Sequence, residues 1–597
     1  MWNTFDFRHI ARPLLLCGYL LKLNAVGLSC VVCDDSEWTP MVQDSSIRAG
    51  WAGERKGILS PLNIPLILSG NFGELRTDHF HTGLDFKTQG KEGFPVLAAS
   101  DGVISRIKIS PFGYGRALYL NDPKGLTTVY AHLQRFAPVV EQWALDQQYD
   151  HERFALDERP TQSFVYQQGD TIGWSGNSGG SGGPHLHFEI RETKTQKPLN
   201  PLLWDLPIAD NRSPELQGVW LLPVDVGAIN GRKRPVKLER EGVVVAEGGF
   251  RVAIDALDRL DAANNRCGIY RAEMQLDDEV VFAWELDALD FSVNRDMNAH
   301  AYYPVWNATG EQVHRMHRLP GNRLPIYTRQ TTSGVISCDS TEKCQRVLTV
   351  RVWDVHGNAA QHEWDIVFKS IGPETSHGET ASDDFDRSKT HVLSTADDDI
   401  KVTCPAEAFY EDFVFDFAVI DSNSFHIGTP ALPASKPLRV ALKRGSEQSD
   451  SDGGCTEQTA VRFVGEDGEA GAWYHGECQD SMFSFSTRQL GRYEWDVDSI
   501  APVISPHRRH RTQQDSMLRV AAGNELRFNL EDVGVGIDSF TAELDGEWIL
   551  MRWDPKRERI WYDLGDRRHS TGTKQRLIIQ AKDQSNNLSR WEGWVQF

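Results

Sequence analysis

Short runs in which apolar and polar residues alternate recur along most of the chain, and this period of two is typical of half-buried β-strands. Between residues 61 and 212 such runs lie at 96–107, 117–120 and 127–133, separated by glycine-rich segments. From residue 213 onward they follow one another at the short spacing that is typical of β-sandwiches. We therefore predict a mainly β protein with many turns and few long helices.

The second half of the chain contains an internal repeat. Residues 268–279 match residues 536–547. Each segment begins with Gly-Ile, continues for six residues and ends in Leu-Asp-Asp-Glu in the first copy and Leu-Asp-Gly-Glu in the second. Residues 354–368 (DVHGNAAQHEWDIVF) match 583–597 (DQSNNLSRWEGWVQF) at identical length. In both, an Asp and a following Asn lie between two apolar runs, which is the chemistry of a hairpin turn. We predict two copies of one sandwich module, and they resemble bacterial immunoglobulin-like domains.

Shifts in composition divide the chain further, and the stretch before the first module carries the candidate chemistry. The predicted order is a signal peptide or N-terminal anchor at 1–33, a lead-in at 34–60, a catalytic domain at 61–212, an immunoglobulin-like sandwich at 213–372, an acidic linker at 373–400, a β-rich domain at 401–500 and a second immunoglobulin-like sandwich at 501–597.

The first residues have the pattern of an export signal. Arg8 and Arg12 precede an apolar stretch at 13–33, and polarity begins abruptly at Asp34. We interpret this segment as a secretory signal peptide that is cleaved. The alternative is an uncleaved membrane anchor, because the stretch is close to the ~20 residues that span a bilayer.

Cysteine usage agrees with export. Three of the nine cysteines lie in the first segment, and an even number remains, which in an exported chain predicts disulfides. The six are Cys267, Cys338, Cys344, Cys404, Cys455 and Cys478. Because Cys338 and Cys344 are close enough to close a small loop, they are the pair that we predict.

Net charge excludes one class of function. The chain has 63 Lys and Arg against 84 Asp and Glu, a formal net charge of −21, so it lacks the basic surface of a nucleic-acid binder. Acidic runs such as 446–454 could bind calcium, but the ligand spacing of an EF-hand loop is absent. We interpret that run as a solvated loop.

The first informative stretch is NFGELRTDHFHTGLDFK at 71–87. Read as a strand, it points His81, Gly83 and Asp85 to one face. The other, core-facing side receives Phe80, Thr82, Leu84 and Phe86. Because Gly83 adds no side chain between them, we predict that the imidazole and the carboxylate converge.

The second stretch is GWSGNSGGSGGPHLHFEIR at 173–191. From its first histidine the alternation is strict, so one face carries His185, His187, Glu189 and Arg191. The Gly/Ser-rich loop before them lets backbone approach a ligand closely. We expect Glu189 to be a surface carboxylate paired with Arg191, although a role in orienting a ligand is the alternative. A third stretch, TTVYAHL, places His132 on a strand-like segment at 127–133.

These stretches together indicate a metal centre. Two histidines and one carboxylate suit a tetrahedral zinc site that keeps one position open for water. Two further histidines suit proton transfer and the stabilisation of a developing oxyanion. A phosphate cradle is the alternative for the glycine loop, but the Lys-Ser/Thr ending of a P-loop is absent.

Three motifs together resemble those of the lysostaphin/LytM-type zinc endopeptidases, which cut peptidoglycan peptides. They are H-x-x-x-D, Y-A-H-L and S-G-N-S-G-G-S-G-G-P-H-L-H-F-E. The resemblance covers 61–212, about a quarter of the chain. It implies an antiparallel β-sheet catalytic domain of the duplicated hybrid motif type. It also implies zinc ligation by His81, Asp85 and His187, and catalysis by His132 and His185. All five residues are present, residues 138–166 look like an insertion beside the cleft, and substrate-binding residues are not indicated.

The implied function is that of an exported zinc metallo-endopeptidase of the periplasm or cell envelope, acting on cross-links or stem peptides of peptidoglycan in cell-wall remodelling. One of the two catalytic histidines would take a proton from water and the other would donate to the oxyanion. The alternatives are a non-catalytic envelope regulator of a murein hydrolase and an adhesin-like surface protein. The complete ligand set favours the enzyme, while the oligomeric state stays open.

The C-terminal β domains lack a comparable His/carboxylate cluster, so we predict that they serve spacing or the binding of other envelope proteins. A fragment ending near residue 212 should then keep its activity on soluble peptides, and the modules should improve action on intact walls by attachment. The alternative is that they pack on the catalytic groove and hold it shut.

Overall fold

Antiparallel β-sheets make up almost all the regular structure in a computed structural model of the chain. The structure describes residues 57–338, 344–369, 385–413, 415–421, 423–443, 455–465, 468–480, 482–508, 517–520, 525–566 and 568–597. Within these ranges there are eight sheets, and the prediction of a mainly β protein is confirmed. The predicted signal or anchor at 1–33, almost all of the lead-in and the acidic run 446–454 lie outside the described residues.

The first domain is built on a nine-stranded sheet that carries the candidate site. Its spatial order is β1 (Leu68–Gly70), β2 (Leu84–Lys87), β11 (His185–Glu192), β6 (Leu126–Ala131), β5 (Ala117–Asn121), β4 (Gly102–Ile109) and β8 (Leu156–Glu158), with β12 (Pro198–Leu199) paired to β11 and β9 (Val165–Tyr166) paired to β4. A smaller sheet has the order β3 (Pro95–Leu97), β10 (Thr171–Trp174) and β7 (Arg135–Phe136). Strand β11 is buried on both faces: Leu186, Phe188 and Ile190 lie in the hydrophobic core, and the alternate polar residues are buried on the other face.

The predicted insertion at 138–166 contains helix α1 (Pro138–Asp150) and the strands β8 and β9. Proline opens the helix, where its missing N–H costs no hydrogen bond. The helix buries Val140, Ala144 and Gln148 against the domain.

The first β module has two sheets. One runs β15 (Val236–Leu238), β13 (Glu215–Pro223), β17 (Phe250–Leu257) and β20 (Val313–Arg315). The other runs β14 (Ala228–Ile229), β16 (Gly242–Glu247), β23 (Ala359–Lys369), β22 (Cys344–Trp353), β18 (Arg271–Leu276), β19 (Glu279–Glu285) and β21 (Tyr327–Gln330). Two short helices, α2 (Met297–His300) and α3 (Tyr303–Thr309), precede β20.

The third unit also has two sheets, and it begins earlier than predicted. One sheet runs β24 (His391–Ser394), β25 (Ile400–Cys404), β28 (Leu438–Lys443), β32 (Met482–Thr487) and β31 (Glu477–Gln479). The other runs β26 (Phe417–Asp421), β27 (Ser424–Ile427), β33 (Gly491–Val497), β29 (Thr459–Val464) and β30 (Ala470–His475). The predicted linker 373–400 is wrong for its described part, because Phe385 is buried in the core of this unit and β24 pairs with β25.

The last module has one sheet of β34 (Val503–Pro506), β36 (Glu525–Glu531), β40 (Arg559–Asp563) and β39 (Met551–Asp554). Its other sheet runs β35 (Met517–Arg519), β42 (Leu588–Gln596), β41 (Lys574–Asp583), β37 (Ile537–Leu544) and β38 (Glu547–Trp548). Both modules pair one strand parallel to the final strand, β16 with β23 and β35 with β42. Both also turn a hairpin on an Asp at positive φ, 56° at Asp277 and 53° at Asp545. The repeat in the sequence is therefore a repeat in the strand arrangement, while the immunoglobulin-like identity stays a prediction.

The hydrophobic cores show which parts of the chain are continuous. One cluster extends from Leu62 in the first domain to Phe368 in the first module, whereas the third unit and the last module each have a cluster of their own. A fragment ending near residue 212 would expose the shared core, so the structure does not support that boundary for an isolated catalytic unit.

The predicted disulfide between Cys338 and Cys344 is present, and a second one joins Cys455 and Cys478. Cys267 and Cys404 are buried free thiols, so the expectation of disulfides holds for two pairs and not for all six cysteines. In the part of the chain that the structure describes, no helix is long and apolar enough to cross a membrane.

Candidate active site

The five predicted site residues lie on three neighbouring strands, β2, β11 and β6, or directly beside them. The pairing of β2 with β11 sets Asp85 opposite His187, and the pairing of β11 with β6 sets His187 opposite Ala131. His132 is the next residue after Ala131, and His81 lies four residues before Asp85, just ahead of β2. The sheet register therefore brings together residues that are about 100 positions apart in the chain.

His81, Asp85 and His187 form a tight cluster of potential ligand atoms. His81 Nε2 lies 3.1 Å from Asp85 Oδ1 and 3.0 Å from His187 Nδ1, and His187 Nδ1 lies 2.9 Å from Asp85 Oδ1. In a tetrahedral zinc site with bonds of about 2.0–2.1 Å, neighbouring ligand atoms are separated by roughly 3.3 Å. The three side chains therefore fit the separation of zinc ligands with little adjustment.

The predicted assignment of faces around this cluster is correct except at Thr82. Phe80, Leu84 and Phe86 are fully buried in the core, as expected. Thr82 instead donates a hydrogen bond of 2.9 Å to Glu189 on the face of His187. The strict alternation fails here because β2 begins only at Leu84, so the preceding residues are not in regular strand geometry.

Gly83 is required by the close approach of β2 to β11. A Cβ at this position would lie 2.8 Å from Glu189 Cγ and 3.0 Å from His187 Cε1. Any side chain would therefore push this segment away from His187, so the missing side chain at Gly83 permits close packing against β11 and does not leave the open space that was expected there.

His132 and His185 approach the same cluster from the opposite side. Their ring centroids are 4.7 Å apart, and His185 Nε2 lies 3.4 Å from Asp85 Oδ1. His132 has a left-handed backbone with φ of 58°, which is uncommon for a residue with a side chain and is often found at functional positions. Burial and the neighbouring His185 lower the pKa of His132 to about 3, so its ring is neutral.

Each of the four histidines has one ring nitrogen held by a fixed acceptor. His132 Nδ1 donates to the Ser178 carbonyl at 2.9 Å and His185 Nδ1 to the Gly183 carbonyl at 2.8 Å. His81 Nδ1 donates to the Asn71 carbonyl at 2.8 Å, and His187 Nε2 donates to Glu189 at 2.8 Å. These bonds fix the orientation of each ring, so that its other nitrogen faces the cluster.

Glu189 is not the surface carboxylate that the sequence predicted. It is fully buried and contacts His187, Thr82, Tyr114 and Arg191. Its predicted pairing with Arg191 is present, and this guanidinium together with His187 outweighs the effect of burial and lowers the pKa of Glu189. Burial alone would lower the pKa of His187, but the hydrogen bonds to Asp85 and Glu189 raise it to about 9. Glu189 therefore orients a candidate ligand, which was the less favoured interpretation.

The first β module holds the loop that carries His81. Asn71 Nδ2 donates to the Gly268 carbonyl at 2.7 Å, and Gly268 N donates back to Asn71 Oδ1 at 2.8 Å. Asn294 makes a similar reciprocal pair with the backbone of Phe80, at 3.1 and 3.0 Å. Periodicity in the sequence carries no signal for these contacts, because they join positions about 200 residues apart.

The last module contacts the other side of the site, at the glycine-rich loop. Lys556 Nζ donates to the carbonyl of Asn177, to that of Gly179 at 3.0 Å and to that of Ser181 at 2.9 Å. Trp553 packs edge-on against Phe112 with centroids 5.6 Å apart, and Trp548 packs against Tyr149 of α1 at 5.3 Å.

Comparison with known proteins agrees with the geometry. Residues 79–146 match Peptidase family M23. The DD-carboxypeptidase/endopeptidase Mpg of Neisseria meningitidis serogroup B is 35% identical over 133 residues, which are 22% of this chain and 24% of that protein. The peptidoglycan DD-endopeptidase ShyC of Vibrio cholerae serotype O1 is 28% identical over 245 residues, which are 39% of this chain and 48% of that protein.

Among solved structures, the catalytic domain of the antimicrobial peptidase lysostaphin from Staphylococcus simulans is 24% identical, covering 23% of this chain and 90% of that one, with a TM-score of 0.18. The chain contains a peptidase M23 domain of the LytM/lysostaphin type, as its motifs predicted. It spans only about a quarter to a half of the length of the two curated relatives.

The buried carboxylate gives a direct test of ligand orientation. We expect Glu189→Gln to lower the affinity of the cluster for a divalent metal ion about 10- to 100-fold, because the neutral amide no longer supports the orientation and basicity of His187. Metal content after dialysis against graded chelator measures this. Glu192→Gln, on the same strand with a carboxylate that contacts Thr195, is the control and should keep wild-type affinity. Unchanged retention by a folded Glu189→Gln variant would show that the contact is not needed.

Proposed function

We propose that this chain is an exported zinc metallo-endopeptidase that hydrolyses peptide cross-links or stem peptides of bacterial peptidoglycan. The observation that carries this proposal is the convergence of His81 Nε2, Asp85 Oδ1 and His187 Nδ1 within 3.1 Å of one another, beside two further histidines. The peptidoglycan activity in the names of the curated relatives supports the substrate class. A regulator without catalysis would not need the complete set.

In this proposal, His81, Asp85 and His187 would hold zinc. When bound, the ion supplies a water whose pKa is lowered to about 7 and polarises the scissile carbonyl. Asn71 and Glu189 hold the two histidine ligands in the required tautomers. The donor set of two imidazoles and one carboxylate is one that zinc prefers for catalysis.

His132 and His185 perform the proton transfers. Their Nδ1–H groups are occupied by backbone carbonyls, so each presents Nε2 to the site. A neutral Nε2 can accept the proton of the attacking water, and once protonated it can donate to the oxyanion or to the leaving amine. The two carbonyl acceptors also stabilise the imidazolium that forms, because each strengthens its bond to a charged donor.

Export to an oxidising compartment is part of the proposal. The Cys338–Cys344 and Cys455–Cys478 disulfides support it, since such bonds persist outside the reducing cytosol. The substrate class requires the same location, in the periplasm or at the envelope.

Two hypotheses remain for the last module: it attaches the enzyme to the cell wall, or it packs over the candidate active site and blocks access (the covering arrangement). Its contacts favour the covering arrangement. Lys556 occupies three carbonyls of the loop whose backbone also holds His132 and His185. The candidate ligands are nearly shielded, with side-chain exposures of 8% for His81, 11% for Asp85 and 5% for His187. We infer that a cell-wall peptide enters only when this module moves away from the glycine loop. Other envelope proteins that bind the C-terminal domains would then act by releasing it.

Substitutions should separate the metal ligands from the proton-transfer residues. We expect His81→Ala, Asp85→Ala and His187→Ala each to lose zinc and activity together, because each removes a ligand. His132→Ala and His185→Ala should keep zinc and lose turnover about 100-fold or more. Zinc content and single-turnover hydrolysis, measured on the same samples, check this. Equal zinc loss in all five variants would contradict the division of roles.

The products of digestion test the reaction itself. Purified peptidoglycan should release peptide-linked fragments with new amino termini, which mass spectrometry identifies. New reducing sugar ends without new amino termini would mean a glycosidase. No release by the zinc-loaded protein, with or without the last module, would favour the regulator.

The covering arrangement predicts a gain of activity. Lys556→Ala should raise kcat/KM on a soluble peptide about tenfold, because hydrogen bonds from a charged donor contribute roughly 1.5–3 kcal/mol to the closed state. A chain ending at residue 500 should show at least the same gain. Lys574→Ala, an exposed lysine of the same module that lies over Trp594, is the control and should leave kcat/KM unchanged. A loss of activity on cell walls with no gain on soluble peptide would restore the attachment hypothesis.

A further inference from the structure

A second group of potential ligands lies where the catalytic domain meets the first β module. Asp210 precedes β13, and Asp354 and His356 lie in the turn between β22 and β23. One ligand atom from each lies within 4.8 Å of the others. Asp258, directly after β17, lines the same cavity of about 10 Å³, which is the size of one small ion or water.

Two carboxylates of this group are buried with one oxygen atom each left without a hydrogen-bond partner among the described residues, although Asp210 Oδ1 accepts from Arg212 N at 3.1 Å. Asp258 is 2% exposed and the side chain of Asp210 is 1% exposed. Neither Asp258 Oδ1 nor Asp210 Oδ2 has a hydrogen-bond partner among the residues that the structure describes. Burial and the neighbouring carboxylates raise the pKa of Asp258 to about 7 and that of Asp210 to about 6. Unpaired acidic oxygens in this setting need a positive partner, because their desolvation is otherwise uncompensated.

Other residues of the chain compensate the negative charge of these carboxylates only in part. His356 Nδ1 lies 3.8 Å from Asp210 Oδ2, which is beyond hydrogen-bonding distance. Asp354 already accepts from the backbone N–H of Asn358 at 2.9 Å and from its side chain at 2.7 Å.

We call the place where Asp210, Asp258 and Asp354 meet the acidic corner of the first module. The last module contains an equivalent corner, so the two can be compared. Asp498 is followed by three residues and a proline, as Asp210 is. Asp532 directly follows β36, the partner of β34, just as Asp258 directly follows β17, the partner of β13. Asp583 occupies the place of Asp354. Asn587 Nδ2 donates to the Asp498 carbonyl at 2.7 Å, just as Asn358 Nδ2 donates to the Asp210 carbonyl at 3.2 Å.

The two corners differ in the loop that enters them. In the last module, Val535 N donates to Asp498 Oδ2 at 2.9 Å. Gly534 N and Gly536 N donate to Asp532 Oδ2 at 3.1 and 2.8 Å, so only Asp532 Oδ1 is left. In the first module the equivalent loop runs from 258 to 268 and contains more residues before its Gly-Ile. Among the described residues it leaves one oxygen of Asp210 and one of Asp258 without a donor. In the last module, backbone N–H groups compensate the buried carboxylate oxygens. In the first module, a bound cation can compensate them instead.

We propose that Asp210, Asp258 and Asp354, with His356 at the exposed rim, bind one Ca²⁺ ion. Three carboxylates from separate loops offer oxygen ligands in the irregular geometry that Ca²⁺ accepts and Mg²⁺ tolerates poorly. The carboxylate oxygens outnumber the single imidazole of His356, and this oxygen majority disfavours zinc.

The ion would also stabilise the catalytic site from a distance. Asn71 and Gly268 line the same cavity, and Asn71 holds both Gly268 and His81. Neutralising the carboxylates would keep the module on the catalytic domain and the Asn71 carbonyl in place. This inference does not require the proposed peptidase activity.

Equilibrium dialysis of the zinc-loaded full chain with CaCl₂, together with its melting temperature, tests the proposal. We expect one Ca²⁺ per chain with a Kd of about 1 mM or tighter and a higher melting temperature in its presence. Asp258→Asn and Asp354→Asn should each weaken binding about tenfold or more, since affinity follows the ligand charge. Asp583→Asn removes the same charge from the same turn of the other copy and should bind as wild type.

Several results would overturn the proposal. They are no saturable Ca²⁺ binding by the wild type, unchanged binding by Asp258→Asn and Asp354→Asn, or a loss in Asp583→Asn as large as that in Asp354→Asn. Binding of Mn²⁺ or Zn²⁺ at this corner without Ca²⁺ would also refute it. Near-UV circular dichroism confirms that each variant is folded, and Asp210→Asn replaces any variant that is not.

Discussion

The reciprocal hydrogen bonds between Asn71 and Gly268 are the contact on which the catalytic arrangement depends. Asn71 is buried, so its amide must find partners within the protein, and the backbone of the first module provides both. With its side chain held in this way, the Asn71 carbonyl faces His81 Nδ1 and fixes which nitrogen of that ring is free. The first module is therefore part of the active domain in physical terms, and the continuous core from Leu62 to Phe368 reflects the same dependence.

Charge compensation is the second constraint on the site. Arg191 balances the buried Glu189, Glu189 orients His187, and His187 and Arg76 both contact Asp85. An isolated buried ion costs of the order of several kcal/mol, so each of these groups is tolerable only because the next one is present. This series of contacts between oppositely charged groups also orients the His187 ring, so that its Nδ1 faces Asp85 and His81. The pairing of buried charges therefore both stabilises the fold around the site and positions the candidate ligand atoms.

The two copies of the β module perform different tasks with the same strand arrangement. The first supports the His81 loop through Gly268 and Asn294, and the last contacts the glycine loop through Lys556. Their hairpins and strand pairings agree, so the difference arises in the loops that join the strands. Loops vary without cost to the shared core, which is why duplicated modules readily acquire separate contacts. The two modules therefore contact the candidate site at two different loops, the His81 loop and the glycine-rich loop.

Local patterns in the sequence determined much of this protein. Alternation predicted the β class and the buried faces of β2 and β11, the repeat predicted the two modules, and short spacing predicted the Cys338–Cys344 bond. Motifs of fewer than twenty residues pointed to all five candidate residues. The period of two holds for His185 and His187 on β11, whereas His81 precedes the regular part of β2 and His132 follows β6 with a positive φ. Other features were decided by the tertiary structure alone: the burial of Glu189, the deviation of Thr82 from strand geometry and the packing of Phe385 into the third unit. The Asn71–Gly268 and Lys556 contacts belong to the same group. All of them join distant positions or irregular backbone, where no local period constrains which groups must share a low-dielectric interior.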